Sequence, residues 1–157
     1  GLVVVNHLRQ RGRRLGLDLY RAVAKDVPLR LVGMDSESLG GDGEVPQPQL
    51  PSLLAAHRFF FHPIRHTSLG LAVIEAMMAG VPVVGLATTE LVSVIERGRN
   101  GYVDTRLSRL VGVMRVLLRD PALAAEWGQA GQRTARERFG IERFVDDWLA
   151  VLQDVAG

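Results

Sequence analysis

Short apolar runs alternate along the chain with stretches in which apolar residues recur at helical spacing. The first run, residues 2–5, is Val-rich and predicts a buried strand that ends in a polar turn over 6–12. Leu15, Leu19, Ala22, Val23 and Val27 recur three or four positions apart, which predicts an amphipathic helix over 13–26, ended by Pro28. Residues 29–32 read as a second strand stopping at Gly33. Residues 35–51, rich in Gly, Pro and acidic side chains, read as a long exposed loop. A short helix over 50–57 and a third strand over 58–62, carrying three consecutive Phe, follow. A polar turn then opens a helix over 71–79 with Gly80 as its stop, and 81–86 is a fourth buried strand. Thr88 or Thr89 is placed to cap a helix running to about 96. The turn Gly98-Arg99-Asn100-Gly101 leads into a short strand over 102–103. Beyond it the pattern is helical: 106–119, 121–139 with Pro at its start, and 141–155.

Strands separated by helices of this length pair in parallel through right-handed crossovers, and near-continuous apolar strands belong to a sheet covered on both faces. The expected fold is α/β, a Rossmann-like doubly wound parallel sheet of about five to six strands with a helical C-terminus, in one domain over 1–157. No internal repeat is visible.

Composition narrows the function classes. At 157 residues, 47% hydrophobic and 23% charged, the chain is ordinary globular material. It has no Cys, which removes a disulfide framework and fits a reducing compartment. Lys and Arg number 19 against 17 Asp and Glu, a net charge of +2. All the cations but Lys25 are Arg. That balance is no nucleic-acid footprint; Arg9, Arg11, Arg13 and Arg14 make the one dense cluster. The apolar stretch 69–87 is long enough to span a bilayer, but Gly70, Glu75, Gly80, Pro82 and Gly85 interrupt it, so no span is expected. No signal peptide is read, and a beginning inside a strand suggests a piece of something longer.

Ligands of doubly wound sheets sit beyond the carboxyl ends of the strands, where the turns 6–14, 63–70 and 87–90 converge. Thr67-Ser68-Leu69-Gly70 has two readings. It is either a Ser/Thr cap with a packing glycine, or an anion site in which unpaired amides and the positive helix end receive a phosphate. Glu75 is the only charge between Arg65 and Glu90 and sits in a helix apolar on all sides. A buried carboxylate needs a partner: an Arg or backbone amides in one reading, the vicinal hydroxyls of a ribose in the other. The Arg cluster is a solvated face or, through Arg11-Gly12, a diphosphate clamp. His57, His62 and His66 have no metal-ligand spacing with acidic partners, so no metal is expected. His66 adjoins Thr67 and is a weaker ligand candidate. Trp127 and Trp148 are assigned to packing in the C-terminal helices, with Phe139, Phe144 and Leu149.

The segment Gly70-Leu71-x-x-x-Glu75-Ala76-Met77-x-Ala79-Gly80-x-Pro82-Val83-Val84, followed by Gly98-x-Asn100-Gly101, resembles the donor-binding, C-terminal half of GT-B glycosyltransferases, specifically the retaining family 4. The order of Leu31-Val32-Gly33 and Phe61-His62-Pro63 before it also matches, and the resemblance runs from about 2 to 150. It implies a nucleotide-sugar donor of UDP or GDP type and transfer to a hydroxyl acceptor, with no metal. The family's Arg and Lys on the donor diphosphate fall at Asn6 and Arg11. Gly33, Ser68, Leu69, Gly70 and Leu71 fall in the donor cradle, and Glu75 at the glutamate that holds the ribose. The first family glutamate, which contacts the donor sugar, is Thr67 here, the one candidate catalytic position. Thr67 donates a hydrogen bond but cannot stabilise positive charge at the anomeric carbon, and Asn6 removes one cation. The resemblance further implies an N-terminal acceptor domain as partner and a cytoplasmic place, compatible with peripheral contact at the inner membrane face. The alternatives are a degenerate GT-B-like scaffold and a stand-alone nucleotide-binding module. No Gly-x-Gly-x-x-Gly follows the first strand to favour dinucleotide binding.

Overall fold

The computed structural model describes residues 1–156. Five strands, β1 (Leu2–Val4), β2 (Arg30–Val32), β3 (Phe60–His62), β4 (Val83–Leu86) and β5 (Gly101–Asp104), form one parallel sheet in the order β2-β1-β3-β4-β5. Successive residues of a strand face opposite sides, so neighbouring apolar residues feed two different cores. Val3, Phe59, Phe61 and Val84 enter one core, capped by Leu110, Met114 and Leu117 of α6 (Leu107–Arg119). Leu2, Phe60 and Val83 enter the other, under Val73 and Met77 of α4 (Leu71–Met78). This two-sided burial is the reason the strands read as unbroken apolar runs.

The remaining helices are α1 (Leu8–Arg11), α2 (Leu17–Val23), α3 (Leu50–Ala55), α5 (Leu91–Val94), α7 (Pro121–Phe139) and α8 (Ile141–Ala156). Helix α7 starts on Asp120, whose side chain accepts from the Leu123 amide at 2.9 Å, with Pro at the first helical position. It lies against α4 so closely that a Cβ on Gly128 would meet the Gly80 carbonyl oxygen at 1.9 Å.

Three expectations need correction. The helix expected over 13–26 is a 3₁₀ turn (Gly12–Leu15) followed by α2, and the turn expected over 6–12 contains α1. Gly12 (φ 55°) and Gly16 (φ 83°) supply the left-handed joints, and a Cβ on Gly16 would sit 2.1 Å from the Pro63 carbonyl oxygen. Neither Thr88 nor Thr89 caps α5, whose first flanking position is Glu90 with no side-chain cap. Trp127 is buried as expected, but Phe144, Trp148 and Leu149 of α8 are each more than half exposed, because residues 141–155 are exposed throughout and none enters either core.

Candidate functional site

Strand order reverses between β1 and β3: β2 lies on one side of β1, and β3, β4 and β5 lie on the other. The chains leaving those two strands therefore diverge and open a crevice at their carboxyl ends. Two cavities fill it, of about 300 Å³ and about 400 Å³, and they share Val4 and Asn6 as a common wall.

The first cavity lies between β2 and α4. Val32 and Gly33 end β2 on one side, Leu71, Ala72 and Glu75 present the α4 face on the other, and Glu44, Val45 and Gln47 close it from the loop. Gly33 (φ 126°) is required there, since a Cβ would lie 2.5 Å from the Val5 carbonyl oxygen and 2.9 Å from Asn6 Oδ1. The loop is stitched to the sheet. The Gly33 amide donates to the Gly43 carbonyl at 2.8 Å, and the Gly43 amide donates to Ser36 Oγ at 2.8 Å.

The second cavity lies between the turns after β1 and β3, with Arg11 and Arg14 on one side and Ile64, His66 and Thr67 on the other. Arg65 clasps those turns together: its guanidinium donates to Asp18 at 2.6 and 2.8 Å and to the Arg13 carbonyl at 2.9 Å. The paired guanidinium holds the Asp18 carboxyl below the usual carboxylate range.

Of the residues singled out from sequence, the structure brings Asn6, Arg11, Gly33, Thr67, Leu71 and Glu75 to this crevice. Ser68, Leu69 and Gly70 line neither cavity; they are the turn that carries the chain from Thr67 in one to Leu71 in the other. Gly70 (φ 85°) is the first flanking residue of α4, and no side chain caps the helix, so the Ser/Thr cap reading fails. The amides of Ser68, Leu69, Gly70 and Leu71 find no acceptor among the described residues. Unpaired amides at a helix start form a receptor for negative charge.

Two further corrections concern side chains. Glu75 is half-buried at the cavity wall rather than enclosed in a core, and its partner is neither an Arg nor backbone amides. Gln47 Nε2 donates to Glu75 Oε1 at 2.6 Å. The basic cluster divides: Arg11 and Arg14 face the crevice, while Arg9 reaches the Ser38 carbonyl at 3.5 Å and Arg13 lies 3.9 Å from Asp18. Asn6 Oδ1 accepts from the Met34 amide at 2.9 Å, which fixes the ends of β1 and β2 together. The 87–90 loop touches the site through Thr89 Oγ1, 3.4 Å from the Ser68 carbonyl.

Sequence reasoning missed Arg14 as a wall residue distinct from its neighbours, and it missed Glu44 and Gln47. Nothing local marks a loop glutamine as the partner of a carboxylate 28 positions away. His62, buried at the end of β3 and lining neither cavity, has an Nδ1 without a partner among the described residues; burial pushes its imidazole down to about 4. Outside the crevice, the buried Asp104 at the end of β5 is held down to about 2, first by the Arg106 amide and then by its guanidinium.

The sequence pattern of glycosyl transferases group 1 matches residues 20–120. The chain belongs to that family. As a group 1 glycosyltransferase chain it is 29% identical over 112 residues to the N-acetyl-alpha-D-glucosaminyl L-malate synthase of Bacillus anthracis, covering 69% of this chain and 29% of that protein. The family chain spans between 14% and 31% of the length of the curated relatives it matches. Among solved structures, Alr3699/HepE of Anabaena, in complex with UDP, superposes with a TM-score of 0.77 at 19% identity, over 98% of this chain and 48% of that one. The C-terminal domain of a glycosyl transferase group 1 family protein (LpcC) from Francisella tularensis superposes with a TM-score of 0.68 at 16% identity, over 90% of this chain and 86% of that domain.

Proposed function

We propose that this chain is the donor-binding, C-terminal half of a retaining GT-B glycosyltransferase of family 4, one that moves a sugar from a nucleoside diphosphate sugar to a hydroxyl acceptor. One observation carries the reading: an uncapped helix start whose amides lack acceptors among the described residues stands between a cavity holding Glu75 and a cavity holding Arg11 and Arg14. A diphosphate at that start receives the Ser68 to Leu71 amides and the positive end of α4, with two guanidinium groups opposite. Its ribose then lies toward Glu75, whose carboxylate accepts from both vicinal hydroxyls in place of Gln47. The sugar lies toward Thr67 and His66.

The chemistry assigned to these residues is positioning and neutralisation of the leaving diphosphate. Arg11, Arg14 and the amides carry that charge, and no metal ion is invoked. Thr67 orients the sugar by a hydrogen bond and supplies no negative charge at the anomeric carbon. The acceptor is held by an N-terminal domain, so the 157 residues bind nucleotide weakly and transfer nothing by themselves. The assembled enzyme works in the cytoplasm, at or near the inner membrane face; among the described residues no helix is long and apolar enough to cross a membrane.

Calorimetric titration of the chain with UDP, GDP and ADP tests the reading, with Glu75→Ala as the control. Binding of at least one nucleotide, weakened about tenfold or more in the variant, is expected. A flat response to all three nucleotides supports the scaffold alternative instead. Sugar transfer by the chain alone would refute the division of labour.

A further inference from the structure

We infer that His62 belongs to the anion receptor at the start of α4, as a buried imidazole that takes up a proton when a diphosphate is bound there; this rests on the nucleotide-sugar reading above. His62 closes β3 and is 3% exposed. Its side chain leaves the sheet on the same face as Phe60, two residues earlier, so it lies on the α4 side, with the two rings 6.2 Å apart. The ring turns its Cε1 edge, the carbon between the two nitrogens, toward the helix start. A Cβ built on Gly70 would have that carbon as its nearest non-adjacent neighbour, at 3.8 Å. Nδ1 is buried and has no partner among the described residues. Buried side-chain nitrogens are nearly always paired, so an orphan beneath a row of unpaired amides marks a place built for a further group.

Two effects keep the ring neutral in the free chain. Burial pushes it down to about 4. The amides of the helix start add partial positive charge on the same side. No charged side chain on the surrounding elements offsets them. Glu75 on α4 is bonded to Gln47, Glu90 before α5 to Ser93, and Arg65 in the turn after β3 to Asp18. His66 in that turn lines the second cavity, and β1 and β4 carry no charged residue. A diphosphate on the amides reverses the sign of the local field. An anion held across Gly70 from a buried imidazole, with little water between, favours the imidazolium. His62 lines neither cavity, so it acts on the ligand as a charge beneath the turn, a positioning residue and not a catalytic one. By linkage, proton and anion each tighten the binding of the other.

Both phosphates of a nucleotide sugar are esterified and do not titrate between about pH 5 and 8, so the pH dependence of its binding reports the protein. The test is calorimetric titration of the chain with UDP-glucose, GDP-mannose and ADP-glucose, in pairs of buffers of unlike ionisation enthalpy. At least one probe is expected to bind about tenfold tighter at about pH 5.5 than at about pH 8, with uptake of about half a proton or more near pH 6. His62→Leu is expected to bring the two affinities within about twofold and to abolish the uptake, while His66→Asn keeps both. Binding that is independent of pH overturns the role of His62 and leaves the nucleotide site standing. A pH dependence that survives His62→Leu, or is lost with His66→Asn, does the same. Should His62→Leu fail to fold, NMR titration of the imidazole signals of the unaltered chain decides. One ring, titrating below the others when free, moves upward with the probe bound; four unmoved rings overturn the inference. No binding of any probe at either pH overturns the underlying site and this inference with it.

Discussion

Glu75 and His62 show how burial decides what a polar side chain does. Glu75 sits half-exposed at a cavity wall and is held by a neutral amide, so its removal costs the fold little. Glu75→Ala is expected to shift unfolding free energy by under about 1 kcal/mol, measured by urea titration, whatever it does to nucleotide binding. His62 is the opposite case. Its ring is buried, Nδ1 has no partner among the described residues, and burial pushes it down to about 4 from 6.5. The folded state refuses the proton that the unfolded chain accepts, so nothing is lost above pH 6.5, and stability falls as pH drops from 6.5 to 4, then levels. The loss is on the order of 3 kcal/mol, and His62→Leu should remove most of the slope in denaturation curves at successive pH values. The half-buried His57, also lowered by burial, leaves a smaller slope of the same sign, and Asp104 adds a loss only below about 3.8. The position of Glu75 in the helix after β3 was legible from its isolation among apolar neighbours. Its exposure was not, because an all-apolar helix face does not say which flank opens on a cavity.

Elements with strong local signals were read well, and the failures lie where backbone conformation overrode periodicity. Helix α7 begins at Pro121 and ends at Phe139 as expected, since an Asp-Pro start and a Gly after the end leave little choice. The helix expected over 13–26 begins only at Leu17 because Gly16 at positive φ breaks a stretch whose apolar spacing alone looked continuous. The expected cap at Thr67 or Ser68 failed for a related reason: the chain enters α4 through Gly70 at φ 85°, so the flanking position belongs to a residue with no side chain. Close approach between elements also has a cost that can be tested. Gly128→Ala would push a methyl into the Gly80 carbonyl where α7 crosses the end of α4, and a destabilisation of about 1–3 kcal/mol is expected by chemical denaturation. Helix α8 is different. Its Phe144, Trp148 and Leu152 face solvent, so the double variant Phe144→Ser/Trp148→Ser should change unfolding free energy by under about 0.5 kcal/mol.

At the scale of the whole molecule, alternation of strand and helix was sufficient for a parallel sheet covered on both faces. The reversal of order at β1 and β3 then fixed where a ligand could lie. Residues far apart in sequence had to meet there, and no pattern announced the pairs Gln47–Glu75 or Arg65–Asp18. The loop after β2 is fastened to the sheet at Gly33, Ser36 and Gly43 by hydrogen bonds within the chain itself. A wall held by the chain's own hydrogen bonds needs no ordering step after encounter. Stopped-flow mixing with nucleotide should therefore show a single exponential whose rate rises linearly with concentration, slowed by added salt as Arg11 and Arg14 lose their pull on the incoming phosphates.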